Sequence, residues 1–137
     1  MSTDPPSDQT ILYGKRILVV EEELMMVFLE ESILTDAGCE VVGPAQTVAE
    51  AKRLIAETQF DAALVDGTIN GVPSTEIADA LRRKNIPFAI QTAPGLYRPG
   101  VGPLLPAFAD ALFVDKPFNT KQVIATVAAL LNRRARP

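Results

Sequence analysis

Five short apolar runs recur along the chain: Ile17-Leu18-Val19-Val20, Cys39 to Val42, Ala62-Ala63-Leu64-Val65, Phe88-Ala89-Ile90-Gln91 and Leu112-Phe113-Val114. Three of them are nearly unbroken rather than alternating, the pattern of strands buried on both faces of a parallel sheet. Between the runs the apolar spacing changes to three and four, the period of an amphipathic helix. From Leu24 to Ala37, Met26, Leu29, Ile33 and Ala37 form the expected core-facing stripe, and Gly38 is placed to end that helix. Thr47, with Glu50 three residues on, predicts a capped second helix whose core face carries Leu54 and Ile55. Ile77 and Leu81 mark a helix over Ser74 to Lys84, and Asn119 caps a last helix with Val123, Val127 and Leu131 inward. Asn70-Gly71 marks a turn.

Strands alternating with helices predict an α/β domain: a doubly wound, five-stranded parallel sheet covered on both faces, in three layers. One stretch departs from the alternation. Between Ala93 and Pro106 stand prolines 94, 99, 103 and 106 and glycines 95, 100 and 102. Proline inside a helix costs about 3 kcal/mol and glycine about 1. The fourth helix is therefore expected to be shortened or irregular, with at most one short turn near Leu104. Residues 1 to 14 are polar and Pro-containing and are expected to be a flexible lead-in, residues 15–133 the domain, and 134–137 a basic tail.

A length of 137 residues suits one domain, and 47% hydrophobic with 22% charged residues is ordinary for a globular protein. No apolar run is long enough to cross a bilayer, and the first ten residues lack the basic start and apolar stretch of a secretory signal. One cysteine, Cys39, allows no internal disulfide and suits a reducing compartment, so a cytoplasmic protein without membrane insertion is expected. A net charge of −4 argues against direct nucleic-acid binding; Arg133, Arg134 and Arg136 form a basic end that suits a helix C-terminus. The absence of histidine excludes imidazole bases, His-containing metal sites and a phosphohistidine of the chain's own.

In doubly wound folds, functional groups gather beyond the carboxyl ends of the strands. Those ends carry Glu21 and Glu22, then Asp66, Thr92 and Lys116. Clustered carboxylates repel one another unless a cation joins them. Oxygen ligands without His or Cys favour Mg²⁺. A carboxylate beside such an ion can act as nucleophile towards phosphorus, with a lysine and a hydroxyl to receive the transferred oxygens.

The runs RILVVEEE, FDAALVDGTING, QTA and VDKPF, in that order, resemble the response regulator receiver family of two-component signalling over residues 15 to 133. The resemblance implies a flavodoxin-like three-layer sandwich. It implies Asp66 as phosphoacceptor, Glu21 and Glu22 as the acidic pair for Mg²⁺, and Thr68 as the donor of a backbone carbonyl to the metal. Thr92 matches the switch hydroxyl, Lys116 the lysine that precedes Pro117, and Phe113 the switch aromatic. Expected partners are a sensor histidine kinase or a histidine phosphotransfer protein, and a homodimer is compatible. The chain would not be an enzyme beyond its own transient phosphorylation and dephosphorylation, acting by partner binding or phosphorelay.

Two features depart from the family pattern. Both acidic positions are Glu, where at least one Asp is usual, and the Pro/Gly segment stands where the fourth helix belongs. The first keeps open a degenerate receiver that binds partners without phosphorylation. A phosphatase with an aspartyl nucleophile fits less well, since Asp66-Gly67-Thr68 lacks a second carboxylate two residues on. Leu24, Met25 and Phe28 fall opposite the expected core stripe of the first long helix, near the acidic cluster. An apolar patch there is expected to dock the kinase or phosphotransfer partner, unless the lead-in, through Ile11 and Leu12, covers it.

Overall fold

The structure, a computed structural model, describes residues 8–92, 106–108, 111–116 and 119–135. Its elements are α1 (Asp8–Leu12), β1 (Arg16–Val20), α2 (Leu24–Asp36), β2 (Glu40–Ala45), α3 (Val48–Glu57) and β3 (Ala62–Asp66). There follow β4 (Thr68–Ile69), β5 (Val72–Pro73), α4 (Thr75–Arg83), β6 (Phe88–Thr92), a 3-10 turn (Pro106–Phe108), β7 (Leu112–Asp115) and α5 (Thr120–Ala135). The main sheet has the order β2-β1-β3-β6-β7, with every pairing parallel. Strand order switches between β1 and β3, which opens a crevice at their carboxyl ends.

Period-two alternation divides the sheet between two cores. Ile17, Val19, Ala62, Leu64, Ala89 and Val114 face the layer of α1, α2 and α5. Leu18, Val20, Ala63, Val65, Phe88 and Ile90 face α3 and α4. The apolar runs are continuous because both faces are covered. Thr47 accepts the Glu50 N–H at 3.1 Å. Asn119 and Gln122 exchange side-chain-to-backbone bonds at 2.8 Å in both directions, a reciprocal cap for α5. Asn70 and Gly71 both have positive φ, 52° and 78°, as a two-residue turn between antiparallel β4 and β5 requires.

Three expectations are corrected. The buried face of α2 is Val27, Glu30, Ile33 and Leu34. Leu29, assigned to the core stripe, is 39% exposed, while Met26 and Ala37 pack at the edge of the core. The run Leu24 to Leu29 is apolar around most of the helix, so spacing alone did not set its phase. The lead-in is the second correction. Asp8–Leu12 is helical and Leu12 is completely buried, with its carbonyl accepting the Cys39 thiol at 3.4 Å. Third, α5 continues to Ala135, through the start of the expected tail. Residues 1–7, 93–105, 109–110, 117–118 and 136–137 lie outside the described residues, including most of the Pro/Gly segment, Pro117 and Arg136. Within 106–108 a 3-10 turn is found, with Phe108 buried. Among the described residues no helix is long and apolar enough to cross a membrane.

Candidate functional site

The alternation that builds the two cores also selects what stands at the strand ends. Continuing Ile17 and Val19, Glu21 falls on the α2/α5 face; continuing Ala62 and Leu64, so does Asp66. Lys116 follows Val114 by two residues on that same face, and Gln91 follows Ala89. Thr92 follows Ile90 and has the opposite parity.

The Lys116 ammonium joins two of these groups, 2.9 Å from Glu21 Oε2 and 3.2 Å from Asp66 Oδ2. Glu21 is fully buried, and its other oxygen accepts the Glu23 N–H at 3.1 Å. Burial, with the Asp66 charge adding to it, raises the Glu21 pKa to about 7 despite the bond from Lys116. Burial works against the Lys116 ammonium, but the Glu21 bond and the Asp66 charge outweigh it and hold its pKa above the ordinary lysine value. Asp66 is buried to 8% exposure. Its Oδ1 accepts the Thr68 N–H at 3.3 Å, and its carbonyl accepts the Ser74 hydroxyl at 2.6 Å.

Thr92 is buried at the end of β6, and its carbonyl accepts the Lys116 N–H at 2.9 Å. Phe113 is half-buried and packs on the α3/α4 core. Glu22 is set apart from Glu21: exposed, it accepts the Asn70 N–H at 2.8 Å and so ties the end of β1 to the β4–β5 turn. Among the described residues no three Asp, Glu, Cys or His side chains are gathered into a cation cage. The donors on this rim are nevertheless all oxygen, and Mg²⁺ is commonly held by one or two carboxylates with water completing its shell. The residues that suit the ion in kind are Glu21, Glu22, Asp66 and the Thr68 carbonyl, with Lys116 holding both Glu21 and Asp66.

Leu24, Met25 and Phe28 are 57%, 75% and 61% exposed, and Leu29 extends the apolar patch they form on α2. Ile11 and Leu12 instead pack into the core beside α5. Sequence reasoning missed three residues here: Ser74, Gln91 and Glu30. Ser74 reads from the sequence only as a helix start. Gln91 and Glu30 are polar residues in core positions, and only the parity of β6 could have flagged Gln91.

No family model matches the chain. The transcriptional regulatory protein TcrA of Mycobacterium tuberculosis is 32% identical over 125 residues, covering 88% of this chain and 47% of that protein. The chain spans about half the length of the curated relatives it matches. Among solved structures, a response regulator receiver protein from Sinorhizobium medicae is 27% identical, with a TM-score of 0.73, over 90% of this chain and 98% of that one. A CheY-like response regulator receiver domain protein from Methanospirillum hungatei is 26% identical, also with a TM-score of 0.73, over 88% and 96%. Sheet order, strand-end residues and these likenesses agree: the chain belongs to the response regulator receiver domains.

Proposed function

We propose that Asp66 accepts a phosphoryl group from a phosphohistidine on a sensor histidine kinase or histidine phosphotransfer protein. The observation that carries this reading is the lysine shared between Glu21 and Asp66 at the carboxyl ends of β1, β3 and β7. An Asp66 carboxylate oxygen attacks phosphorus; the new O–P bond forms as the P–N bond to the donor imidazole breaks, and that electron pair stays on the imidazole nitrogen. Lys116 exchanges its contact with Asp66 for one with a phosphoryl oxygen, and the Thr92 hydroxyl takes another. Phe113 follows the movement of Thr92. Glu21, Glu22, Asp66 and the Thr68 carbonyl would hold Mg²⁺, which would offset negative charge on the transferring group. The donor protein docks on Leu24, Met25 and Phe28, which are exposed on α2 at the end next to Glu22. The signal leaves by partner binding or by onward transfer.

Intact mass after treatment with a small phosphodonor and Mg²⁺ tests the acceptor. One added phosphoryl group is expected on the wild-type chain and none on Asp66→Asn. Persistent labelling of that variant would sink the assignment.

A second reading is a receiver that binds its partner in one fixed form, without phosphorylation. One observation favours it: both acidic positions are Glu, and Glu22 is already engaged by Asn70. A wild-type chain that gains no mass under any Mg²⁺ concentration yet binds its partner would select it.

A further inference from the structure

Behind the Glu21–Lys116–Asp66 group lies a second polar pair that this chemistry does not use. Glu30 sits on the inner face of α2 among Val27, Ile33 and Leu34, and it is completely buried. Gln91, on the last turn of the pleat in β6, is completely buried too. The two side chains are neighbours across the α2–β6 boundary. Yet both Glu30 oxygens and both polar atoms of Gln91 lack a formed hydrogen bond. Four orphaned polar atoms at one place are costly, since buried polar groups are nearly always paired. A carboxylic acid facing a carboxamide resolves all four together. The acid O–H donates to the amide oxygen, and the amide N–H donates to the acid carbonyl.

The charges around Glu30 favour that form. Glu21 and Asp66 face it with one ammonium, Lys116, between them. A third carboxylate would add a second uncompensated charge to the core. Burial, and then the Glu21 charge, raise the Glu30 pKa to about 8, outweighing the opposite pull of the Gln91 amide and the Lys116 charge.

Gln91 is a lever on the site. It pairs in register with Asp66, and its carbonyl accepts the Gly67 N–H at 2.8 Å. The next residue is Thr92, whose carbonyl accepts the Lys116 N–H. We propose that Glu30 is a positioning residue: as a neutral acid it pairs with the Gln91 carboxamide and so holds the Gln91–Thr92 end of β6 in place between Asp66 and Lys116. The consequence for a phosphoryl group rests on the reading of Asp66 as acceptor; the pairing does not.

The test exchanges the two groups. Glu30→Leu leaves Gln91 buried alone, and Gln91→Glu sets two acids face to face. Glu30→Gln combined with Gln91→Glu restores one acid and one amide with their places reversed. Amide hydrogen exchange at Gly67 and Lys116 reads the position of β6, urea unfolding reads the pairing, and decay of labelled Asp66 reads the chemistry. Either single variant should speed exchange at both amides and lower the folding equilibrium constant on the order of tenfold. The exchanged protein should recover most of both losses, and its phosphoryl lifetime should lie nearer the wild type than that of Glu30→Leu. If Gln91→Glu does not fold, the exchanged protein is compared with Glu30→Leu alone. An exchanged protein no better than the worst folded single variant overturns the proposal. So does a carboxylate, rather than a carboxylic acid band, in the infrared difference between wild type and Glu30→Gln at neutral pH. A wild type that takes no phosphoryl group defeats the acceptor reading alone, because unfolding, amide exchange and infrared spectra still decide the positioning role.

Discussion

Lys116 reaches Glu21 more closely than it reaches Asp66, 2.9 Å against 3.2 Å, and Glu21 has no exposed surface. Its ammonium is therefore the main compensation for a buried carboxylate as well as a neighbour of Asp66, the proposed acceptor. Lys116→Met should destabilise the domain by on the order of 3 kcal/mol at about pH 8, as expected when one partner of a buried pair is removed. Near about pH 5 the loss should be smaller, because Glu21, whose pKa already stands at about 7, escapes by taking a proton. Urea unfolding at the two pH values checks this; an equal loss at both would mean that Glu21 is not the group left uncompensated.

Glu22 holds the Asn70 N–H across the rim, and its side chain is one methylene longer than that of an Asp. Shortening it should free the carboxylate from Asn70 and restore the reach that octahedral Mg²⁺ demands. Glu22→Asp is expected to tighten Mg²⁺ binding in calorimetric titration. Equal or weaker affinity would show that the added length is not what limits the site.

Phe28 is 61% exposed, so its removal should change stability by no more than about 0.5 kcal/mol. Phe28→Ala should instead slow phosphotransfer from the cognate phosphohistidine protein, while labelling of Asp66 by a small donor stays unchanged. Slowing of both routes together would assign Phe28 to the fold or the site rather than to docking.

Glu30 and Glu21 should make stability fall as pH rises. The Glu30 pKa rises from an ordinary 4.5 to about 8, with burial as the main cause. The folded chain therefore keeps that proton where the unfolded chain has lost it. The contribution of Glu30 to stability should be fully present below about pH 4.5 and fall as pH rises towards 8; Glu21 should add a fall in the same direction up to about 7. In Mg²⁺-free buffer, Glu30→Gln should remove on the order of 1–3 kcal/mol of the difference between pH 5 and pH 8, about the penalty of one buried unpaired group. The remaining slope should belong to Glu21. An unchanged slope in Glu30→Gln would mean that Glu30 does not titrate in this range.

The architecture was legible in the order of residues because its causes are local. A strand covered on both faces must be apolar throughout, so Ile17–Val20 and Ala62–Val65 declared themselves, and Glu21 and Asp66 followed as the first polar groups beyond them. The caps at Thr47 and Asn119 and the turn at Asn70-Gly71 rest on bonds within four residues, and they form as the spacing predicts. Other features depended on distant parts of the chain. Helix α2 is apolar on too many sides for its sequence to choose a face. Packing against the sheet chose one, and it placed Glu30 inside and Leu29 outside. The five residues of α1 have too few apolar positions to be read as a helix alone; burial of Leu12 beside α5 and under Cys39 holds them. Glu21 and Glu22, adjacent and identical in sequence, became a buried partner of Lys116 and an exposed partner of Asn70. Successive side chains leave an extended backbone on opposite sides, and only the assembled sheet decides which side meets the lysine of a strand 95 residues away.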